Sequence, residues 1–446
     1  MIKSIISSIH LKVLLPIGVL SIVFFSTFAE GKPLKIEVNK VTKEPLNISI
    51  PSFISNSGLR ELSENIVAVI TDDLVSTGLF VVTENTNYLS FITDFNNPID
   101  YPAWNAIKAR ALLTGELSSN GTTGITVKFR LFDVLSEKPF KEGLKLTGPR
   151  QGWRRIAHKI ADEVYARITG ENKYFDSRIA FVAEEGSKEN RTKRLAIMDY
   201  DGANQAFLTE KSDFIVLSPK FSPNGSKLLF TSYETGSPRI CLLDIRSRKK
   251  IFLEGEPETM SFSPSFSPNG KDVVFSLTSR SNTDIYSLNI ASNTRSRLTS
   301  SISIDTSPSF SPDGRRLVFE SDRSGTQQLY VMPSSGGNAK RISFGQGSYG
   351  APVWSPDQKL IAFTKQSKGS FYIGIMNTDG SDERLLTSSF LDESPSWSPN
   401  GRVIIFSRST SGSGSSSTLY SIDIARGSLK PIRASSSDPS WSNLLN

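Results

Sequence analysis

From about Ser177 to the C-terminus one motif recurs at a fixed spacing, and that spacing limits the possible fold more than any other feature of the 446-residue chain. It reads PKFSPNGSKLLFTS at Pro219, PSFSPNGKDVVFSL at Pro264, PSFSPDGRRLVFES at Pro308, PVWSPDQKLIAFTK at Pro352 and PSWSPNGRVIIFSR at Pro395, with a truncated PSWSN at Pro439. Successive prolines stand 45, 44, 44, 43 and 44 residues apart. Periods of about 40 to 45 residues belong to four-stranded propeller blades, whereas common helical repeats run at about 33 or 34.

Each copy spells out four strands. A P-x-[FW]-S strand meets a tight Pro-Asn-Gly or Pro-Asp-Gly turn and then a β-branched run ending in Phe, a hairpin signature. A third strand follows, as in Gln328-Leu-Tyr-Val-Met, and a fourth, as in Arg341-Ile-Ser. The run ending in Phe occurs six times, at Phe181, Phe230, Phe275, Phe319, Phe363 and Phe406, yet the first has no P-x-F-S-P strand before it. The missing strand lies at 439–442, so the two ends of the repeat region are expected to share a blade, giving a closed six-bladed β-propeller without an open sheet edge. Phe221, Phe266, Phe310, Trp354, Trp397 and Trp441 share one repeat position and are expected to fill the space between blades, so that Phe310→Ala would cost about 3–5 kcal/mol. The turn glycine supplies a positive φ. Gln358 replaces it in one copy, and a looser turn is expected there.

The preceding part of the chain is of another kind. Lys3 and Lys12 lead into an apolar run at 13–25, followed by the small residues Thr27 and Ala29, the pattern of a cleaved export signal over 1–29. This run is well short of the ~20 residues that a membrane-spanning helix needs. Residues 30–170 read as a small α/β domain. Leu34, Ile36 and Val38 alternate, as do Leu46, Ile48 and Ile50, and Ile125, Val127, Phe129 and Leu131, which is the pattern of half-buried strands. Leu59, Leu62, Ile66, Val69, Ile70 and Leu74 recur at helical spacing, with Ser57 as cap and Gly78 as stop. A second helix over about 149–169 carries the stripe Trp153, Ile156, Ile160, Val164 and Ile168. Residues 171–176 form a short linker, and 177–446 the propeller. Thr410–Thr418 reads as a flexible Gly/Ser loop.

Composition narrows the chemistry. One cysteine, Cys241, and two histidines, His10 and His158, exclude disulfide frameworks and cysteine zinc sites. The net charge of +7 is spread along the chain without a basic stripe, which argues against nucleic acid. No G-x-S-x-G nucleophile elbow occurs. His158 lies off the apolar stripe of its helix and is expected to face solvent. Asp199 and Asp201 precede a glycine and read as a turn in preference to half of a cation loop. No catalytic residue, cofactor or metal is expected. The competing readings are a polysaccharide lyase or peptidase-related propeller, which would need nucleophile or metal constellations, and a glycan-binding propeller, which would need aromatics exposed at the channel mouth.

An export signal, a small α/β domain, six repeats of this type and the segment Phe390-Leu-Asp-Glu-Ser-Pro395 together resemble the TolB family of the Tol-Pal envelope system, and the likeness runs from Lys35-Ile-Glu-Val to Pro439-Ser-Trp-Ser. The resemblance implies a monomeric, non-enzymatic periplasmic adaptor that helps to keep the outer membrane attached and supports envelope constriction at division. It implies that the propeller docks on the peptidoglycan-associated lipoprotein Pal, through which the protein is peripheral to the outer membrane. By position this implicates Met260, where the family often has a histidine, with Ser263, Thr306, Tyr349 and Glu393. It further implies that the N-terminal segment, Lys35, Ile36, Glu37, Val38, Asn39, Lys40 and Val41 within 30–41, engages the C-terminal domain of TolA. Its alternation suits addition as a strand to a partner's sheet edge.

Overall fold

The computed structural model describes residues 44–445 apart from 188–189, 212–213, 254–256, 281 and 411–415. The expected cleavage site, the segment 30–41 and most of the Gly/Ser loop lie outside the described residues. Among the described residues no helix is long and apolar enough to cross a membrane.

The N-terminal part is a mixed sheet of β1 (Leu46–Ser49), β2 (Phe80–Val82), β3 (Ala111–Asn120), β4 (Gly124–Asp133), β5 (Lys138–Pro139) and β6 (Leu144–Pro149). Its order is β2-β1-β3-β4-β5, with β6 also on β4. Strand β1 is parallel to β2 and β3, and helix α1 (Arg60–Ser76) makes the crossover from β1 to β2. Helix α2 (Tyr101–Ala106) closes one sheet face with Trp104, packed with Leu112 and Phe132. The opposite face, through Ala111 and Leu113, belongs to the main core under α1 and α3 (Trp153–Thr169). The alternation of Leu112 and Leu113 between two cores is the strand period made visible. Gly78 ends α1 and Gly170 ends α3, with φ of 66° and 75°. Ser57 is not a side-chain cap: the helix is entered through a 3₁₀ turn, Ser57–Leu59, in which Leu59 N–H bonds Asn56 O.

The remainder is six four-stranded antiparallel sheets around a channel, five of them ordered consecutively from the inner strand outward and the sixth built from both ends of the repeat region. The last strand, Ser436–Trp441, pairs with the first of the repeat region, Arg178–Glu185, placing Trp441 opposite Ile179. The six Phe residues of the second strands are buried to within 1% of complete enclosure. A serine, not glycine alone, fastens each hairpin. The hydroxyls of Ser222, Ser267, Ser311, Ser355 and Ser398 accept from the amide five residues on at 2.9–3.0 Å and donate to the turn's Asn or Asp at 2.6–2.8 Å. That staple explains why Gln358 does not loosen its turn. It adopts the same left-handed φ, 63°, and its N–H still bonds Ser355 O at 3.0 Å.

The shared aromatic position is not uniform. Trp354, Trp397, Trp441 and Phe266 are buried, but Phe221 and Phe310 stay half-exposed. In Trp397 the indole N–H crosses to Val353 O of the neighbouring blade at 3.1 Å, a bond that a phenyl ring cannot make. The expected cost of Phe310→Ala therefore falls below the fully buried range.

The α/β part sits on the face formed by the hairpin turns and the turns between third and fourth strands, and the join is a continuous core. Tyr174 and Phe175 of the linker pack with Tyr165, Tyr200 and Trp441. Asp162 of α3 accepts from the amides of Tyr174, Phe175 and Asp176 at 2.7–3.0 Å, pinning the linker. Burial nevertheless pushes its carboxyl up to about 6, outweighing those three bonds. His158 does not face solvent: it is 1% exposed. Its Nδ1 lies 2.7 Å from Asp73 of α1, whose other oxygen accepts from Tyr200 of the propeller at 2.7 Å. Burial alone would depress the imidazole, but Asp73, with Asp201 and Asp199 behind it, holds it above its ordinary value. Asp201 lies in the expected turn, which Gly202 N–H closes onto Asp199 O, and also pairs with Arg154 across the join. Asp73, His158 and Asp201 converge within reach of a common point; the Asp73 oxygens, His158 Nδ1 and an Asp201 oxygen serve these bonds, whereas the buried His158 Nε2 has no hydrogen-bond partner among the described residues.

Candidate docking face

The opposite face of the propeller is built by the loops that enter each inner strand and those joining second to third strands, and the α/β part leaves it open. Each inner strand bulges just before its proline, at Ser218, Ser263, Ser307, Ala351, Ser394 and Asp438, all with φ between 48° and 57°. A positive φ is costly outside glycine, and a bulge breaks the ladder so that the following proline forfeits no bond. The six bulges line the channel.

Of the residues implicated by resemblance, Ser263 lines the channel and Met260 is 40% exposed on the rim. Thr306 is buried and donates to Glu320 at 2.7 Å, and Tyr349 is buried with its hydroxyl donating to Glu383 at 2.8 Å. Glu393 is half-buried, and burial, with Asp438 and Glu184 adding to it, pushes its carboxyl up to about 7. Bidentate Arg408–Asp392, at 2.7 Å for both bonds, and Arg323–Asp305 at 2.9 Å brace the strand entrances, so the loops are carried on a rigid rim.

What sequence reasoning left unnamed on this face, Met260 apart, is apolar. Ile215, Met260, Ile302, Ile304, Phe344 and Phe390 are 40–100% exposed at the entrances to the inner strands of five consecutive blades. Large apolar side chains repeated at equivalent loop positions form the kind of rim that marks protein docking sites. The available signal was one or two Ile, Met or Phe residues in each otherwise polar loop ahead of the P-x-[FW]-S strand.

The fold and this face define a class: a six-bladed propeller with an α/β domain on one face and an open loop face on the other. Residues 34–140 match the family described as TolB amino-terminal domain, and residues 165–445 that described as TolB beta propeller domain. The Tol-Pal system protein TolB of Dinoroseobacter shibae is 57% identical over 423 residues, 94% of this chain and 95% of that protein. For the Tol-Pal system protein TolB of Jannaschia sp. the match is 53% identical over 211 residues, so that the chain spans about half, 47%, of that relative's length. The crystal structure of TolB from Acinetobacter baumannii superposes with a TM-score of 0.77 at 27% identity, covering 90% of this chain and 97% of that one. The chain belongs to the TolB family of Tol-Pal system proteins.

Proposed function

We propose that the chain is exported by its leader to the periplasm and works there as a non-enzymatic adaptor. Its propeller holds the lipoprotein Pal on the open loop face, and the segment 30–41 engages the C-terminal domain of TolA, serving outer-membrane integrity and envelope constriction. The observation that carries the reading is the ring of exposed Ile, Met and Phe side chains on the face that the α/β part does not cover. Burying such side chains in a partner's pockets supplies affinity, at about 25 cal/mol per Å² of apolar surface. A segment that packs at home when one partner is bound and is released when it leaves would couple the two sites. Calorimetry with purified Pal and TolA domains tests this. Ile304→Asp with Phe344→Ser should weaken Pal binding by about tenfold or more, and deletion of 30–41 should abolish TolA binding while sparing Pal. Unchanged affinities in both experiments would overturn the reading.

A further inference from the structure

The ring of bulges encloses a channel cavity of about 130 Å³ whose lining holds two charged side chains, Lys220 and Asp438. Lys220 breaks the repeat: the residue after the bulge proline is Ser265, Ser309, Val353, Ser396 or Ser440 in the other blades. Its side chain is half-buried against the channel, and its ammonium has no hydrogen bond or ion pair with any described residue. Burial depresses its proton affinity and Asp438 opposes that effect only in part. Asp438 is committed elsewhere: one oxygen accepts from Ser218 N–H at 3.3 Å and the other from the Ser394 hydroxyl at 3.1 Å. The hydroxyls of Ser265 and Ser309 line the same cavity and likewise have no partner among the described residues.

A half-buried ammonium with no counter-ion in a narrow channel, beside hydroxyl donors that have no protein partner, favours an acceptor of opposite charge over water alone. We propose that the propeller channel is an anion-binding site, in which Lys220 and the neighbouring serine hydroxyls hold one small monovalent anion, chloride or a carboxylate group. A channel of this size has room for such an ion together with water. The anion has two possible sources, a free ion or the side-chain carboxylate of a protein docked on the loop face; the site itself stands whether or not the partner reading does.

Chlorine NMR line broadening and acetate titration calorimetry on the full-length mature protein, in a buffer whose bulky anion does not fit the cavity, test the proposal. Both anions should bind the wild type, and Lys220→Met should weaken each by about tenfold or more, the loss of a charge-assisted bond. No binding to the wild type, or equal binding to Lys220→Met, would overturn it. Should Lys220→Met fail to fold, Asp438→Asn should tighten binding severalfold by removing the negative neighbour, and unchanged or weaker binding would overturn it. Pal affinity measured against rising acetate separates the sources. Acetate competition in the wild type that vanishes in Lys220→Met identifies a partner carboxylate, and indifference to acetate identifies a free ion.

Discussion

The two end faces of the propeller are made by the same repeat, and they differ almost entirely in what their loops carry. On the face toward the α/β part the turns are short, their glycines and serines satisfy themselves, and Tyr200 and Trp441 join a core shared with α1, α3 and the linker. On the other face the loops raise Ile302, Ile304, Phe344 and Phe390 into solvent above a rim braced by arginine–carboxylate pairs. Identical blade geometry thus supports a permanent contact on one side and an unfilled one on the other. Strands set the shape, and connecting loops decide who meets it.

The contrast is most severely tested at Trp441, which belongs to the shared core and whose indole N–H donates to Ser177 at 2.8 Å. Trp441→Ala should cost about 3–5 kcal/mol in urea unfolding followed by circular dichroism, and a loss near zero would show that the join is not a core. Next, Asp162→Ala strands three buried amides and should cost about 3 kcal/mol in the same assay. Smaller and pH-dependent is Glu393. Its carboxyl titrates near 7 in the folded protein against an ordinary 4.5, so the folded state holds the extra proton between those values, and stability falls as pH rises through that window. Glu393→Gln should remove the fall and raise stability above pH 7 by about 1–2 kcal/mol, the figure being reduced for solvent screening of a half-buried group. Smallest of all, Phe344→Ser on the loop face should change stability by less than about 0.5 kcal/mol, because the ring is 71% exposed and meets the Arg341 guanidinium, 5.1 Å from its centroid, at the surface. A larger loss there would mean that the rim is structural.

How much of this was legible in the sequence depended on whether a residue's surroundings repeat. The blades, their turns and the closure by residues 439–442 follow from a motif whose copies check one another, and the stripes of α1 and α3 follow from period. His158 was misread because one apolar stripe implies one buried face, whereas α3 is packed on two. Ala157, Ala161 and Tyr165, with His158 and Asp162, form a second stripe facing the propeller and linker. Two small residues four apart beside a histidine and an aspartate were the only trace of it. Phe221 and Phe310 went astray because burial at the shared aromatic position depends on the neighbouring blade, which local sequence does not describe. The loop face and Met260 were implicated by resemblance, but its other exposed apolar side chains were not, for a related reason: an Ile or Phe in a polar loop acquires meaning only when closure brings five such loops around one opening.

The pairing of Trp441 with Ile179 has a consequence for how the molecule comes apart. That single indole completes the circle of sheets and also plugs the centre of the contact with the α/β part, so neither half can reach its finished interior before the chain's far end has been threaded into place. Such distant pairing makes for slow assembly. It also predicts that melting is one event, because loosening the clasp exposes both halves together.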